Sequence, residues 1–201
     1  MVYSTIGGGI QNIIGPVIIN NSNYFANADT IGGGAANVIS NTYYATIPGG
    51  QQAQATNYAQ MAYSSGSFST AGDGQFSLYV LRGGSCNTNF TTLYLDYPTD
   101  SQEIALPADR ACAYTISIVG RESGSVGGSS TTYWMRGVAN GKTGLVENDS
   151  ANNGTGDPGC TAAGQVTVSG GNMHVRVISI NCTTNCMRWV ATVQTAEVSY
   201  P

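Results

Sequence analysis

The chain opens with a ten-residue unit that returns. "TIGGGIQNII" at Thr5–Ile14 comes back as "TIGGGAANVI" at Thr30–Ile39, and after a shorter interval as "TIPGG" at Thr46–Gly50. Each copy has the same order: a short apolar strand end, a glycine corner, and in the two full copies an Asn and a second apolar pair. Glycine permits positive φ and close backbone approach, and Asn tolerates the left-handed region and bonds nearby backbone. Each unit therefore reads as strand, tight corner, strand. The spacing is shorter than that of helical repeats and near that of β-solenoids and rolls. One such unit cannot bury its own apolar face, and two and a half are too few for a self-sufficient solenoid. The missing cover is expected from other copies of the chain around a shared axis, rather than from a Gly-rich flexible linker.

The repeats occupy a region with its own composition. In residues 1–74 the only charged side chains are Asp29 and Asp73, while residues 75–201 hold every Arg, the single Lys142, every Glu and both Trp. The "STAGDG" turn cluster, Ser69–Gly74, marks the expected boundary, giving a repeat stalk over 1–74 and a second domain over 75–201. That domain alternates with period two, the mark of half-buried strands. Phe76, Leu78 and Val80 share a face, as do Tyr114, Ile116 and Ile118, Trp134 with Arg136 and Val138, Val175 with Val177, and Trp189 with Ala191 and Val193. With shorter candidates in "TTLYLD", "QEIALP", "GLVEN" and "GQVTVS", about nine strands predict a β-sandwich or jelly roll. The fold class expected is all-β: a Gly-rich interleaved β-prism or β-roll stalk and a sandwich tip, homotrimeric. The connector Asn57–Ser69 reads equally as a helical turn or a last strand.

Several function classes are disfavoured by the bulk numbers. Charged residues are 9% of the 201-residue chain, against about 25% in ordinary domains. With seven basic residues and net charge −4, nucleic acid is not an expected partner. No apolar run nears the ~20 residues of a membrane helix, so no membrane insertion is expected. No secretory signal pattern opens the chain; Met1 reads as an expression start on a piece of a longer protein. Five cysteines, Cys86, Cys112, Cys160, Cys182 and Cys186, favour disulfides and an exported protein. Cys182 and Cys186, flanking a hairpin turn, are the expected local pair. Zinc wants four ligands, and none is expected.

The search for chemistry returns mainly decoys. "GVANGKTG" is one residue short of a phosphate loop and lacks a following helix; a turn through Asn140–Gly141 fits better. "DSANNGTGDPG", Asp149–Gly159, lacks the acid spacing and terminal Glu of a calcium loop. His174 is the one available imidazole base, with no G-x-S-x-G and no Cys near it, and reads as a half-exposed strand residue. Glu103, Glu122, Glu147 and Glu197 are scattered rather than paired in an aromatic cleft. Trp134 and Trp189 are expected in the core, and Glu197 is a candidate partner for Arg136 at an inter-subunit surface. No enzyme activity and no cofactor are expected.

The residues also carry a resemblance. "TIPGG" followed by "YAQMAYSSGSFSTAGDGQFSLYVLR" resembles a segment of phage tail-fibre proteins, matched at Pro48, Gly49 and Gly50, at Gly72, Asp73 and Gln75, and at Val80, Leu81 and Arg82. "YWMRGVANG" and the closing "MRWVATVQTAEV", Met187–Val198, resemble that family's middle and final strands. The "TIGGGxxNxI" units look like head repeats of trimeric bacterial adhesins, and similar tips occur in the phage-like mosaic trimeric fibre adhesins of predatory bacteria. The resemblance implies a homotrimer whose tip recognises a surface ligand. The cysteines depart from the phage pattern and favour a bacterial cell-surface adhesin over a virion tail fibre, with surface carbohydrate as the expected ligand. A structural fibre without ligand and a polysaccharide-degrading spike are the remaining alternatives. Ligand residues are expected on the loops Gly83–Phe90, Asp96–Gln102, Glu122–Thr132 and Asn148–Thr161, with Tyr97, Tyr133, Asn148, Asp149, Asn152 and Asp157 as the candidates.

Overall fold

The computed structural model describes residues 3–19, 22–24, 28–122, 129–153, 160–180 and 186–200, and of 17–19, 22–24, 148–153 and 161 the backbone alone. The described residues form strands, turns and irregular segments, with no helix among them. Two compact units divide the chain, one of Met1–Tyr79 with Thr195–Pro201, the other of Val80–Gln194.

In the first unit the repeats become rungs. Strands β1 (Thr5–Ile6), β5 (Thr30–Ile31), β7 (Thr46–Ile47) and β9 (Met61–Tyr63) stack in parallel, and β2 (Ile13–Ile14), β6 (Val38–Ile39) and β8 (Gln54–Ala55) stack likewise. The register aligns Thr5 with Thr30 and Thr46, and Ile6 with Ile31 and Ile47. The extra residues of the first interval form a hairpin of β3 (Val17–Ile19) and β4 (Ser22–Tyr24). The connector whose conformation the sequence left open supplies β9, the fourth rung.

The glycine triplet is explained by rung spacing. A Cβ on Gly9 would lie 2.0 Å from the carbonyl oxygen of Gly34, and one on Gly34 would lie 2.0 Å from that of Gly50. Both residues also sit at φ near +90°, a region costly to any residue with a Cβ. The Asn after the triplet ties rungs together. Asn37 Nδ2 donates to the carbonyls of Gly33 (3.0 Å) and Gly50 (3.1 Å), and Asn37 Oδ1 accepts from Ala53 N–H at 3.0 Å. Asn12 Oδ1 in turn accepts from the N–H of Asn37 at 3.1 Å. Ile31, Ile39, Ile47, Ala45, Ala53, Ala55 and Ala62 form the core inside the stack.

Strand β10 (Gly74–Ser85) pairs antiparallel with β9, Phe76 opposite Tyr63. Phe76, Leu78 and Val80 share a face, as the alternation predicts, and it is the more exposed one. Phe76 and Val80 are exposed, and the buried face carries Gln75, Ser77, Tyr79 and Leu81. The polar members bury because they are bonded. Gln60 Nε2 donates to Ser77 Oγ (2.8 Å), Gln75 Nε2 to Glu197 Oε2 (3.2 Å), and Tyr79 Oη and Thr195 Oγ1 to Glu197 Oε1 (3.2 and 2.6 Å). Glu197 is therefore a buried acceptor within its own chain, and the expectation of an inter-subunit role for it is corrected.

The second unit is built from two layers. One sheet runs β10, β18 (Met187–Ser199), β13 (Arg110–Glu122), β14 (Ser130–Asn140) and β15 (Val146–Asn153). In the other, β17 (Asn172–Ile180) pairs with β16 (Thr161–Ser169), β11 (Thr91–Leu93) and β12 (Ile104–Ala105). Ile116, Met135, Val166, Met173, Val175, Val177, Trp189 and Ala191 fill the interior. A Cβ on Gly164 would press the ring of Tyr133 at 2.9 Å, and one on Gly120 would overlap the ring of Trp189 at 2.1 Å. Trp189 anchors this core, its Nε1 donating to Ser85 Oγ at 2.9 Å.

Two further expectations change. Cys186 is bonded to Cys86, 100 residues away, so the local Cys182–Cys186 pair is not formed; Cys182 itself lies outside the described residues. The reason is topological, since Cys86 follows β10 and Cys186 precedes β18, its neighbour in the sheet. Cys160 is also in a disulfide, while Cys112 carries a buried thiol. Trp134, expected inside, is 38% exposed: it lies one residue out of phase with the buried Tyr133 and Met135.

Candidate functional site

The predicted ligand residues scatter. Tyr97 stands in the Asp96–Gln102 loop, half-buried, its hydroxyl against Gly84. Asp96 organises that loop, accepting from the N–H groups of Ser101 (3.1 Å) and Gln102 (2.9 Å) and from the Ser101 hydroxyl. Burial pushes the Asp96 carboxyl up, but the Ser101 hydroxyl and these amides outweigh it and hold it below the ordinary value. Tyr133 is 7% exposed and packs between the layers, so its ring is a core element rather than a surface contact. Asn148, Asp149 and Asn152 fall within β15 instead of a loop. The register slips between Arg136 and Gly137, leaving Asp149 as the extra residue of a β-bulge, the device that re-aims an edge strand. Gly137 permits it, since a Cβ there would meet the carbonyl oxygen of Glu147 at 2.0 Å. Asp157 lies outside the described residues. No group of three or more metal-ligating side chains occurs among the described residues.

The structure brings together residues that the sequence kept apart. One group is apolar and lies on the outer face of the larger sheet. Val119 (47% exposed), Trp134 (38%) and Val190 (40%) sit together there, lining a shallow groove with Ser117, Thr132 and Thr192. Val80 and Val138 are exposed in the same sheet.

The second group is polar and lies on the smaller sheet. The β12–β17 register sets Ile104 opposite Met173, which brings Glu103 beside His174. His174 Nδ1 lies 2.8 Å from Glu103 Oε1. The β16–β17 hairpin returns Ser169 to the same imidazole, with Ser169 Oγ 2.9 Å and the Ser169 carbonyl oxygen 3.3 Å from His174 Nε2. Asn172 Nδ2 donates to Glu103 Oε2 at 3.3 Å. The reading of His174 as a half-exposed strand histidine missed this group, because Ser169 and Glu103 are 5 and 71 residues from it in sequence. Only the strand register could have revealed them.

No protein-family model matches the chain, and no curated protein sequence matches it. Among solved structures, the chain has weak similarity to phage tailspike proteins. Tailspike gp49 of Acinetobacter baumannii bacteriophage Fri1, a capsular polysaccharide depolymerase, superposes with a TM-score of 0.36 at 9% identity over 94% of this chain and 36% of its own. The tailspike of A. baumannii phage AM24 gives 0.33 at 8% identity, over 86% of this chain and 34% of its own. The tailspike of Acinetobacter phage vB_ApiP_P1 gives 0.27 at 9% identity, over 86% and 41%. The chain thus spans between 34% and 41% of the length of these proteins. The expectation that the chain is no enzyme is corrected at this point: one of these tailspikes is a depolymerase, and the exclusion of catalysis is withdrawn.

Proposed function

We propose that the chain is the receptor-binding end of a homotrimeric fibre of the phage tail-fibre kind, engaging polysaccharide on a target cell. The observation that carries this reading is the exposed apolar face of Val119, Trp134 and Val190 on the larger sheet. Contiguous apolar surface of this kind marks association sites, and identical copies around one axis supply cover for it. The repeats themselves do not carry the reading: Ile31, Ile39 and Ile47 are fully buried within one chain, so the expectation that the stack takes its cover from other copies is corrected. Three copies present three equal ligand sites, so weak individual contacts sum to avidity. A surface rich in Ser, Thr, Asn and Tyr hydroxyls and amides, with few charges, suits a hydroxyl-rich ligand.

A second reading, a bacterial cell-surface adhesin with the same assembly, is supported by the Cys86–Cys186 bond, since disulfides persist in oxidising compartments. Both readings meet one experiment. Size-exclusion with light scattering should give three times the chain mass of 20.8 kDa, and the assembly should bind bacterial polysaccharides on an array. Trp134→Glu should yield monomers that lose array binding while keeping their fold. A wild-type protein that runs as a folded monomer and binds nothing on the array overturns the proposal.

A further inference from the structure

We infer that Ser169, His174 and Glu103 form a serine-esterase site for small acyl esters. The order of contacts is the one nucleophilic catalysis needs: a hydroxyl within hydrogen-bond reach of an imidazole, and the imidazole oriented by a third group. With the proton of His174 on Nδ1, that N–H donates to Glu103 at 2.8 Å and Nε2 accepts the Ser169 O–H at 2.9 Å. Asn172, bonded to the other Glu103 oxygen at 3.3 Å, holds the carboxylate in place. When Nε2 takes the serine proton, the Ser169 carbonyl at 3.3 Å is a second acceptor for it.

Access and shielding are divided as the chemistry requires. Ser169 is exposed at the end of β16, whereas the side chains of His174 and Glu103 are 19% and 17% exposed. The hairpin turn after Ser169 is Gly170–Gly171, both at positive φ, and a Cβ on either would meet nothing within 4 Å. The N–H of each glycine has no acceptor among the described residues. These donors follow the serine directly, where an acyl-transfer site needs oxyanion contacts. Arg176, two residues along β17 from His174, is occupied over the Phe90 ring at 5.5 Å.

The reaction balances with water as the only co-reactant. Ser169 Oγ attacks the ester carbonyl and its proton passes to His174 Nε2. The ester C–O bond breaks, and the leaving alkoxide takes the proton from His174 to depart as an alcohol. Water then attacks the acyl-serine, giving a proton to His174. Collapse releases the carboxylic acid, and the serine oxygen recovers that proton. An open sheet face fits a small acyl group carried on a polymer, so an O-acetylated polysaccharide is the substrate class; this last assignment alone rests on the function proposed above.

The experiment uses the intact chain with a fluorophosphonate probe, 4-methylumbelliferyl acetate and an O-acetylated bacterial polysaccharide. The probe should label Ser169 in the folded protein and not after heat denaturation. Acetate-ester hydrolysis should fall at least ~100-fold in Ser169→Ala, a change on an exposed turn that leaves the fold intact. Glu103→Gln should lower kcat with little change in KM, and Glu103→Asp should recover part of it, as expected of a positioning residue. An unlabelled Ser169, or a Ser169→Ala variant as active as the wild type, overturns the site and leaves a structural staple between strands. Hydrolysis of the small ester without acetate release from the polysaccharide keeps the site and overturns the substrate class. Neither result bears on trimer formation or array binding.

Discussion

Tyr79 donates its phenolic hydrogen to Glu197 at 3.2 Å, across 118 residues of sequence. The same side chain accepts from Gln75 and Thr195, so one buried carboxyl group satisfies donors from both β10 and β18. Such a network stabilises only when complete, because each member left alone is a desolvated polar group. Glu197→Ala should cost about 2–4 kcal/mol in urea unfolding, and Tyr79→Phe about 1–2 kcal/mol. If both variants unfold at the wild-type urea midpoint, as ordinary surface changes nearly do, the network is not a stability element.

The asparagine ladder predicts a graded series. Asn37 is buried between two rungs and its side chain bonds both. Asn12 occupies the equivalent place on the exposed first rung. Asn37→Ala should therefore destabilise by about 2–3 kcal/mol and Asn12→Ala by about 1 kcal/mol or less. Hydrogen exchange should show the first change loosening the amides of Val38 and Ala53. Equal costs at the two positions would mean that the ladder is not what stacks the rungs.

The Cys86–Cys186 bond closes a loop of about 100 residues, and the chain-entropy model assigns such a loop about 4–5 kcal/mol. Cys86→Ser with Cys186→Ser should lower the urea midpoint accordingly, with about 2–4 kcal/mol the usual yield. Non-reducing peptide mapping should recover a Cys86–Cys186 peptide. A Cys182–Cys186 peptide in its place would restore the local pairing that the spacing suggested.

Two aspartates should give stability opposite dependence on pH. Burial pushes the Asp29 carboxyl up to about 6, against a smaller opposing effect of the Ala45 N–H. Its cost to the fold is therefore full above pH 6 and gone below about pH 4. Asp29→Asn should stabilise by about 1–3 kcal/mol at pH 7.5 and by nothing at pH 4. Asp73 is the reverse case. Burial raises its carboxyl, but the N–H groups of Thr70, Ser69 and Phe68 and the Ser69 hydroxyl outweigh it and bring it to about 2. Its contribution is present above pH 4 and lost as pH falls toward 2, and Asp73→Asn should remove that acid limb of the stability curve. Thermal melts of the wild type and both variants between pH 2 and 8 give the comparison.

What the sequence revealed and what it concealed divide along physical lines. The repeats were legible because Thr-Ile-Gly-Gly-Gly names its own register: the unequal intervals between copies became the pairings Thr5–Thr30 and Thr30–Thr46. Period-two alternation located the strands and their two faces, but not which face is buried where the buried positions are polar. Gln75 and Ser77 lie inside because Gln60 and Glu197 reach them, a fact of tertiary pairing that hydropathy does not carry. Trp134 shows the converse, an aromatic residue out of phase with its buried neighbours. The Ser169–His174–Glu103 group was illegible for the simplest reason. Glu103 and His174 meet through the register of β12 on β17, which a single sequence does not state.

The β3–β4 hairpin interrupts the interval between the first two rungs without disturbing their alignment. Contour and cargo are therefore separable in this stack. What the ladder fixes is the number of rungs; what is looped out between them is free to vary in length and chemistry, as it does between the long first interval and the shorter second. A peptide spliced at the corresponding corner of the next rung, between Ser40 and Tyr44, should leave the pairing of β5 with β7 and of β6 with β8 unchanged. Such a molecule can gain lateral features while the ladder keeps its pitch.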